Sequence, residues 1–475
     1  MKRYLALLAI TASAAAQPVF TGIFPPEEFA SRRARVMDKI GNGAAILLGA
    51  TEPPGEMPLR QGNQFFYVSG VVEPRAILVI DGKTKRSTLF LNPRNAQREG
   101  SMYGPSFSPG EDAVKATGMD AVMPRSDFQA AVEALAGESR TIFTPFRPEV
   151  LGSISAGDPD RLWAANKADP WDGRTSREQA FLAHLKETAP HSEVRNLDPI
   201  LDAMRGIKSA REIALIREAT RIAGLGIMEA MRDARPGMAE YELQADSEFV
   251  FKKYGSFGAA YFALIATGPN TYYTHYHRNT AILKDGDLVQ FDYAPDYKYY
   301  QSDVTRVFPA NGKFAPWQRE YYDIYLRLYR AVMTSIKVHR TPRDAIKDAV
   351  VKMDGIMAGY GFTDGKIRNA AQKFVENYRR QQDRATSLGH SVGMEVHDVR
   401  MPTDTLEPGE IFTIEPEMRI EEDHLGLRLE DMLLITDTGY ENLSAFVPIE
   451  IADIEKLMAD RKHGLSAAHD TLPRD

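Results

Sequence analysis

The chain has 475 residues, 43% of them hydrophobic and 26% charged, with a net charge of −7 and no cysteine. That length is too great for one ordinary core and predicts two domains of a folded globular protein. The acidic balance, with no basic block to offset it, excludes nucleic acid and an anionic membrane surface as partners, and the lack of cysteine excludes disulfides and thiolate chemistry.

The first residues, MKRYLALLAITASAAAQ, join a basic start (Lys2, Arg3) to a short apolar run and the small residues Ala14, Ala15 and Ala16. This is the pattern of a secretory signal peptide over 1–16, so the chain is expected to be exported, to a periplasm or the medium. No other stretch reaches the roughly 18 uninterrupted apolar residues of a transmembrane span.

From 17 to 175, short apolar runs alternate with helical segments. Ala44–Gly49, Phe65–Gly70, Ala76–Asp81, Ser87–Asn92 and Thr141–Phe146 predict strands, and Ser126 predicts the cap of a helix running to Ala136. An α/β domain without a catalytic-looking cluster is expected here. Residues 155–175 are rich in Asp, Pro, Gly and Ala and predict a boundary or surface loop. Arg177–Thr188 predicts a polar helix within a connecting segment, 176–195.

A second domain is expected over 196–465, with a tail at 466–475. Ser209 and Glu212 have capping-box spacing. Behind them Ile213, Ile216, Ala219, Ile222, Ala223, Ile227 and Met231 trace one helical face up to Pro236-Gly237. Another helix, about Ala239–Lys253, ends near Gly255. Strands are predicted at Ala260–Thr267 and Asn279–Leu283, and helices at about Trp317–Val338 and Pro342–Gly359, the last with Thr341 as N-cap before a proline.

Between these lies LVQFDYAPDYKYYQSDVTRV, 288–307, two apolar and β-branched runs around a Pro-Asp turn. Alternation places Asp292 with Leu288 and Gln290, and Asp303 with Gln301 and Thr305. If the strands pair as a hairpin, the two carboxylates meet in apolar surroundings, with no Lys or Arg on their faces. A bound cation would offset that cost; a solvated hairpin surface would also explain the pair. Further on, two glycines flank His390 in SLGHSVGMEVHD, letting the backbone come close to whatever the imidazole touches, although a histidine there can equally be structural. The strand EIFTIEP carries Glu415, and GLRLEDMLLIT places Arg428, Glu430, Met432 and Leu434 on one face, giving a second acidic pair on a second strand–turn–strand unit. Four carboxylates and one imidazole suit a pair of hard or borderline divalent ions, Mn²⁺ before Mg²⁺ or Zn²⁺.

The order Asp, Asp, His, Glu, Glu within these motifs resembles the pita-bread metallopeptidases, most closely aminopeptidase P. The matching stretches are DGDLVQFD ending at Asp292, SDVTRVFPANGKF from Ser302, LGHSVGMEVHD from Leu388, FTIEP around Glu415 and GLRLED ending at Asp431. RQGNQFFYVSGVVEPRAILVI from Arg60 is similar to that family's N-terminal domain.

The resemblance implies a creatinase-like N-terminal α/β domain followed by a pita-bread catalytic domain of α+β type. It implies two divalent ions per subunit, held by Asp292, Asp303, His390, Glu415 and Glu430, with Asp303 and Glu430 bridging. Glu415 would also move the proton, and Arg428 would orient a ligand carboxylate. His275 and His397 would contact the substrate and stabilise the oxyanion; His277 fits the first of these roles less well. The implied reaction releases the N-terminal residue of peptides with proline second, in a homo-oligomeric enzyme, dimer or tetramer. Prolidase, which cleaves Xaa-Pro dipeptides, shares the metal set, and a metal-free peptide-binding or creatinase-like variant is the further alternative. The chain departs from the family pattern at Thr386 (usually His), Arg400 (usually Gly) and Glu417 (usually Gly), and the segment from Glu415 to Glu430 is short. These departures bear on specificity.

Overall fold

The structure is a computed structural model that describes residues 24–52, 58–93, 95, 97, 107–148, 158–400 and 403–460. The expected signal peptide and the C-terminal tail lie outside the described residues. The chain divides into two compact units, the first built from Met1–Glu149 and Asp160–Leu201, the second from Val150–Pro159 and Asp202–Asp475.

In the first unit, strands β1 (Ala44–Leu48), β2 (Ile77–Asp81), β3 (Arg86–Leu91), β4 (Ala121–Pro124), β5 (Ile142–Thr144) and β6 (Val194–Asn196) form one mixed sheet in the order β4-β3-β2-β1-β5-β6. The central strands are buried on both faces, as their near-continuous apolar sequence requires. Ile46, Val79, Phe90, Val132 and Ile142 make the core together with Leu185 and Ala189.

Those last two residues correct the expected boundary. The helix Arg177–Thr188 and strand β6 are part of the first unit, because Leu185 seals its core and β6 extends its sheet beside β5. The 176–195 segment is therefore not a connector, and the division falls near Leu201. Within 155–175, Asp158–Ala168 is a helix rather than a loop.

Two further expectations in this unit fail. Phe65–Gly70 is not a strand: Asn63–Ser69 is a helix ended by Gly70, whose φ of 65° supplies the left-handed cap. Six of its seven residues are buried, so no alternation or helical stripe distinguishes the two states, and β-favouring side chains mislead. Ser126 does not cap; its hydroxyl donates to Asp127 at 3.0 Å, and the α-helix starts at Phe128.

In the second unit, long helices cover small antiparallel sheets. Ala210–Asp233 packs against Glu240–Lys253, and Pro316–Met333 against Pro342–Gly359 and Gly365–Gln381. The capping box of Ser209 and Glu212 and that of Thr341 and Asp344 are both formed. The sequence reading missed the helix Gly365–Gln381, although Ile367, Ala370, Ala371, Phe374 and Val375 form its buried stripe.

The strands are β7 (Gly258–Ala259), β8 (Leu264–Thr267), β9 (Leu288–Asp292), β10 (Pro295–Tyr297), β11 (Tyr300–Gln301), β12 (Thr305–Pro309), β13 (Ile411–Ile414), β14 (Glu417–Ile420), β15 (Leu425–Arg428), β16 (Asp431–Thr436) and β17 (Gly439–Asn442). They pair as β12-β9-β8, β11-β10-β7, β13-β16-β17 and β14-β15. Asn279–Leu283 is not a strand, since Asn279 has a φ of 51° and only Ile282 bridges, to Ala239.

The aspartate hairpin forms with a different turn. Pro295 and Asp296 lie in a strand, and the chain reverses at Lys298 and Tyr299, with φ of 52° and 74°. Such a primed turn favours Asn or Gly, so Lys-Tyr gave no signal. The expected continuous strand Gly426–Thr436 is broken at Leu429-Glu430, and its halves join different sheets.

Candidate metal centre

Thr305 of β12 pairs with Asp292 of β9, which brings Asp303, just before β12, to the same end of the sheet. The two carboxylates meet at Tyr261, whose hydroxyl oxygen is 2.6 Å from Asp292 Oδ1 and 2.6 Å from Asp303 Oδ1. Both aspartates are buried.

The second acidic pair arrives through the strand break. Leaving β15, the chain bridges to Thr305 before entering β16: the Glu430 amide donates to the Thr305 carbonyl at 3.1 Å, and the Thr305 hydroxyl donates to Glu430 Oε2 at 2.8 Å. Beneath this junction Arg306, fully buried, donates to the carbonyls of Thr305 (2.9 Å) and Glu430 (2.7 Å) and to Asp431 Oδ1 (2.7 Å). Tyr329 holds the other Asp431 oxygen at 2.6 Å. A buried arginine with this many acceptors is a strut, and it fixes the backbone on which Glu430 and Asp303 sit.

His390 enters from a loop pressed onto β13. A Cβ on Gly389 would meet the Thr413 carbonyl oxygen at 1.9 Å, so only glycine permits the approach. The Thr413 amide then donates to the His390 carbonyl at 2.9 Å, two residues before Glu415. His390 Nδ1 lies 3.3 Å from the Ser391 carbonyl, and in the tautomer that donates there Nε2 is left as the acceptor. Nε2 is 3.2 Å from Glu415, 3.4 Å from Asp303 and 3.9 Å from Glu430. Ligand atoms of Asp303, His390 and Glu430 lie within 4.8 Å of one another.

The electrostatics show what such a cluster lacks. Burial, with Asp303, Glu415 and Asp292 nearby, drives Glu430 well above the usual carboxylate range. Burial also pushes Asp292 up to about 7, although Arg428 opposes it. Burial would lower His390, but the carboxylates of Asp303 and Glu415 overcome it and hold the imidazole up to about 10. Burial would raise Asp303 and Glu415, and His390 holds both below their ordinary values. Glu430 Oε1 is buried with no hydrogen-bond donor. Four carboxylates around one imidazole and one guanidinium leave negative charge uncompensated, and oxygen donors with one nitrogen are the set that a divalent cation takes. The residues fit such an ion.

Arg428 works from β15. One guanidinium nitrogen bonds Asp292, and the other donates to the Thr274 carbonyl at 3.0 Å, fixing the residue next to His275. The His397 ring lies tilted against that of His390 with centroids 4.0 Å apart, and desolvation together with His390's charge keeps its pKa below the ordinary value; His275 also bears on it. Both His275 and His397 are exposed, on the open side of the cluster. His277 turns away, its ring against Phe262 with centroids 4.7 Å apart.

The three departures sit around this centre. Glu417 lies opposite Arg428 in the β14–β15 ladder and accepts from Thr274 Oγ1 at 3.0 Å and from Arg419 at 2.6 Å. Thr386 and Arg400 line a cavity of about 70 Å³ with Gly389 and Ser391, behind the His390 loop.

Known proteins match this arrangement along most of the chain. Residues 214–437 match the model for metallopeptidase family M24, and 29–143 that for the aminopeptidase P N-terminal domain. The Xaa-Pro aminopeptidase of Haemophilus influenzae is 31% identical over 457 residues, which cover 91% of this chain and 97% of that protein. The chain belongs to the aminopeptidase P group of M24 metallopeptidases. Among solved structures, proline aminopeptidase P II from Yersinia pestis superposes with a TM-score of 0.71 at 30% identity, covering 91% of this chain and 99% of that one. Aminopeptidase P from Escherichia coli with the inhibitor Pro-Leu gives 0.71 at 28%, covering 92% and 99%. This aminopeptidase P relative is thus a metallo-aminopeptidase, with the N-terminal domain and the pita-bread domain of its family.

Three residues that build the centre of this aminopeptidase P chain were not assigned such roles from sequence. Tyr261 lies in the run Ala260–Thr267, expected only to be a strand. Thr305 and Arg306 sit inside the matched SDVTRVF stretch, where a hydroxyl and a guanidinium in an apolar strand were the available signal.

Proposed function

We propose that the protein is an exported Xaa-Pro aminopeptidase that works with two divalent ions, Mn²⁺ first among them. The observation that carries this reading is the convergence of Asp303, Glu415 and Glu430 on Nε2 of His390, with Asp292 joined to Asp303 through Tyr261. Asp292, Asp303, His390, Glu415 and Glu430 would hold the ions. When bound, such ions polarise a carbonyl and lower the pKa of water to near neutrality.

The chain's own residues divide the remaining work. Glu415 has the most exposed side chain of the five, at 29% against 1% for Glu430, so it is the carboxylate placed to take a proton and pass it to the leaving imino nitrogen. His275 and His397, exposed beside it, position the peptide and donate to the developing oxyanion. Arg428 keeps Asp292 in place and ties the His275 segment to it. Proline selectivity is supported by the relatives' names and by aromatic side chains around the centre. The hydroxyls of Tyr261, Tyr272, Tyr276 and Tyr293 are committed to carboxylates, which leaves Phe262 and Tyr273, both exposed, as candidates for the wall against the ring.

Prolidase activity is the second reading, favoured by Arg400. It is exposed on the cavity behind the His390 loop, where its guanidinium could bind a dipeptide's free carboxylate. Export rests on the signal pattern of the first sixteen residues, and a homo-oligomer on the family resemblance. A panel of Xaa-Pro-Yaa, Xaa-Pro and Xaa-Ala-Yaa peptides, run with Mn²⁺ and with chelator, tests the reading. Release of the first residue from Xaa-Pro-Yaa alone, abolished by chelator, is the expected outcome.

A further inference from the structure

His275 stands in a long connection between β8 and β9 that belongs to no named strand. Arg428 holds the Thr274 carbonyl beside it, and a second group holds the two ends of the connection. Glu240, in the first turn of the helix Glu240–Lys253, is fully buried. Its Oε1 accepts from the Thr267 amide at 2.8 Å and the Asn270 side chain at 3.2 Å. Its Oε2 accepts from the Ala281 amide at 3.1 Å and the Tyr276 hydroxyl at 2.9 Å. The four donors lie on both sides of His275, two before it and two after. The Glu240 amide closes the same span by donating to the Ala281 carbonyl at 3.0 Å.

We propose that Glu240 is a positioning residue for His275, a buried ionised carboxylate that ties both ends of the 267–281 loop and, with Arg428 at Thr274, sets where the imidazole meets the substrate. The proposal rests on the aminopeptidase reading only in giving His275 a substrate to meet.

The donor pattern favours the ionised form. Each oxygen faces one backbone N–H, which can only donate, and one side-chain donor, so the ionised form alone accepts from all four, whereas a proton on Oε2 would turn the Tyr276 hydroxyl from donor to acceptor. Burial raises the carboxyl's pKa, and the four hydrogen bonds oppose it; the amide-rich N-terminal end of the helix also favours a negative charge. Glutamine has the same shape but fails for the same reason. Whichever way its amide is turned, its NH₂ meets the N–H of Thr267 or of Ala281, and one end of the loop is released.

The test is a double-mutant cycle on the full, metal-loaded enzyme, with E240Q, H275A and the pair, read by metal content, kcat on a Xaa-Pro-Yaa peptide and the ¹⁵N resonances of the histidine rings. E240Q is expected to keep its metal and lose kcat about tenfold, part of the roughly 100-fold that a full 1 Å misplacement can cost, because Arg428 still holds Thr274. In the H275A background the same change should cost less than about twofold, because the group it positions is gone. The His275 ring resonance, assigned by its loss in H275A, should shift or broaden in E240Q while that of the distant His339 stays fixed. An equal loss of kcat in both backgrounds, or an unmoved His275 resonance, overturns the proposal. Should E240Q not fold, Y276F removes one donor and leaves the carboxylate, and the same pattern at smaller amplitude is required. If wild-type enzyme does not cleave the peptide at all, the aminopeptidase reading fails, and the ring resonance alone decides on Glu240.

Discussion

Thr305 and Glu430 hold each other twice, hydroxyl to carboxylate at 2.8 Å and amide to carbonyl at 3.1 Å. One Glu430 oxygen is thereby engaged, and the other, buried and without a donor, is left for a cation. Thr305→Val keeps the shape and removes only the hydroxyl. A partner that orients a metal ligand typically contributes 10–100-fold in metal affinity, so titration of chelator-treated protein should show about that weakening in T305V. An unchanged affinity would remove Thr305 from the account.

Asp303→Asn should lose far more metal than His397→Ala. Asp303 faces His390 and shares Tyr261 with Asp292, so neutralising it damages the whole cluster, whereas His397 lies tilted against the outside of His390. Elemental analysis of the purified variants decides this. Equal metal content in wild type and D303N would end the dinuclear assignment.

Tyr261→Phe deletes a hydroxyl that touches two buried carboxylates at once. The ring keeps its packing against Tyr293, so the fold should survive while the carboxylates lose their shared donor. A buried acceptor left without its partner costs about 1–3 kcal/mol, and that strain falls on the metal-free protein. The melting temperature of Y261F should therefore drop in chelator and recover when metal is added. A drop of the same size in both conditions would mean that the hydroxyl serves packing only.

Asp398 is buried between Arg205 and Lys208, with Arg205 also bonding Glu395. Burial works to raise its pKa, but the two cations hold it far below the usual carboxylate range. A depressed folded-state pKa contributes stability that is present above about pH 4, the unfolded value, and lost as pH falls further. Asp398→Asn should lose roughly 3–5 kcal/mol at neutral pH, since it takes the carboxylate from buried Lys208 and one of two from buried Arg205. Its denaturation midpoint should also change less than the wild type's between about pH 5 and pH 2. Parallel acid profiles would show that Asp398 does not govern acid sensitivity.

The mature chain, isolated from a secreting host, should begin near Ala15 to Gln17. N-terminal sequencing reads this directly, and an intact Met1 in the cytoplasmic fraction would count against export.

The five residues proposed to hold metal were legible as a set because chemistry constrains such residues at single positions. Asp292, Asp303, His390, Glu415 and Glu430 sit at strand ends or beside a glycine, where alternation and close approach leave a pattern. The residues that support the site were not legible, because their partners are remote in sequence: Glu240 reaches Ala281, and Arg306 reaches Ser444 and Val447. Local pattern carries no information about which buried carboxylate accepts from which loop. The helix at 63–69 failed for another reason, burial on nearly every side, and the lost connector at 176–195 failed because a three-residue strand closing a sheet is too short to show a period.

The break at Leu429-Glu430 has an evolutionary consequence. Glu415 and Glu430 are held by the ladders on either side of the β14–β15 hairpin, whereas the hairpin's far end, from Glu421 to His424, touches neither. Residues can be gained or lost at that tip without shifting a ligand, provided the ladder closes in register. Its short form here leaves the positions of Glu415 and Glu430 unchanged. What such an indel does change is the surface presented to Tyr272, which contacts both Glu421 and His424. The hairpin tip is therefore a place where relatives can diverge in the peptides they favour while their hydrolytic chemistry stays fixed.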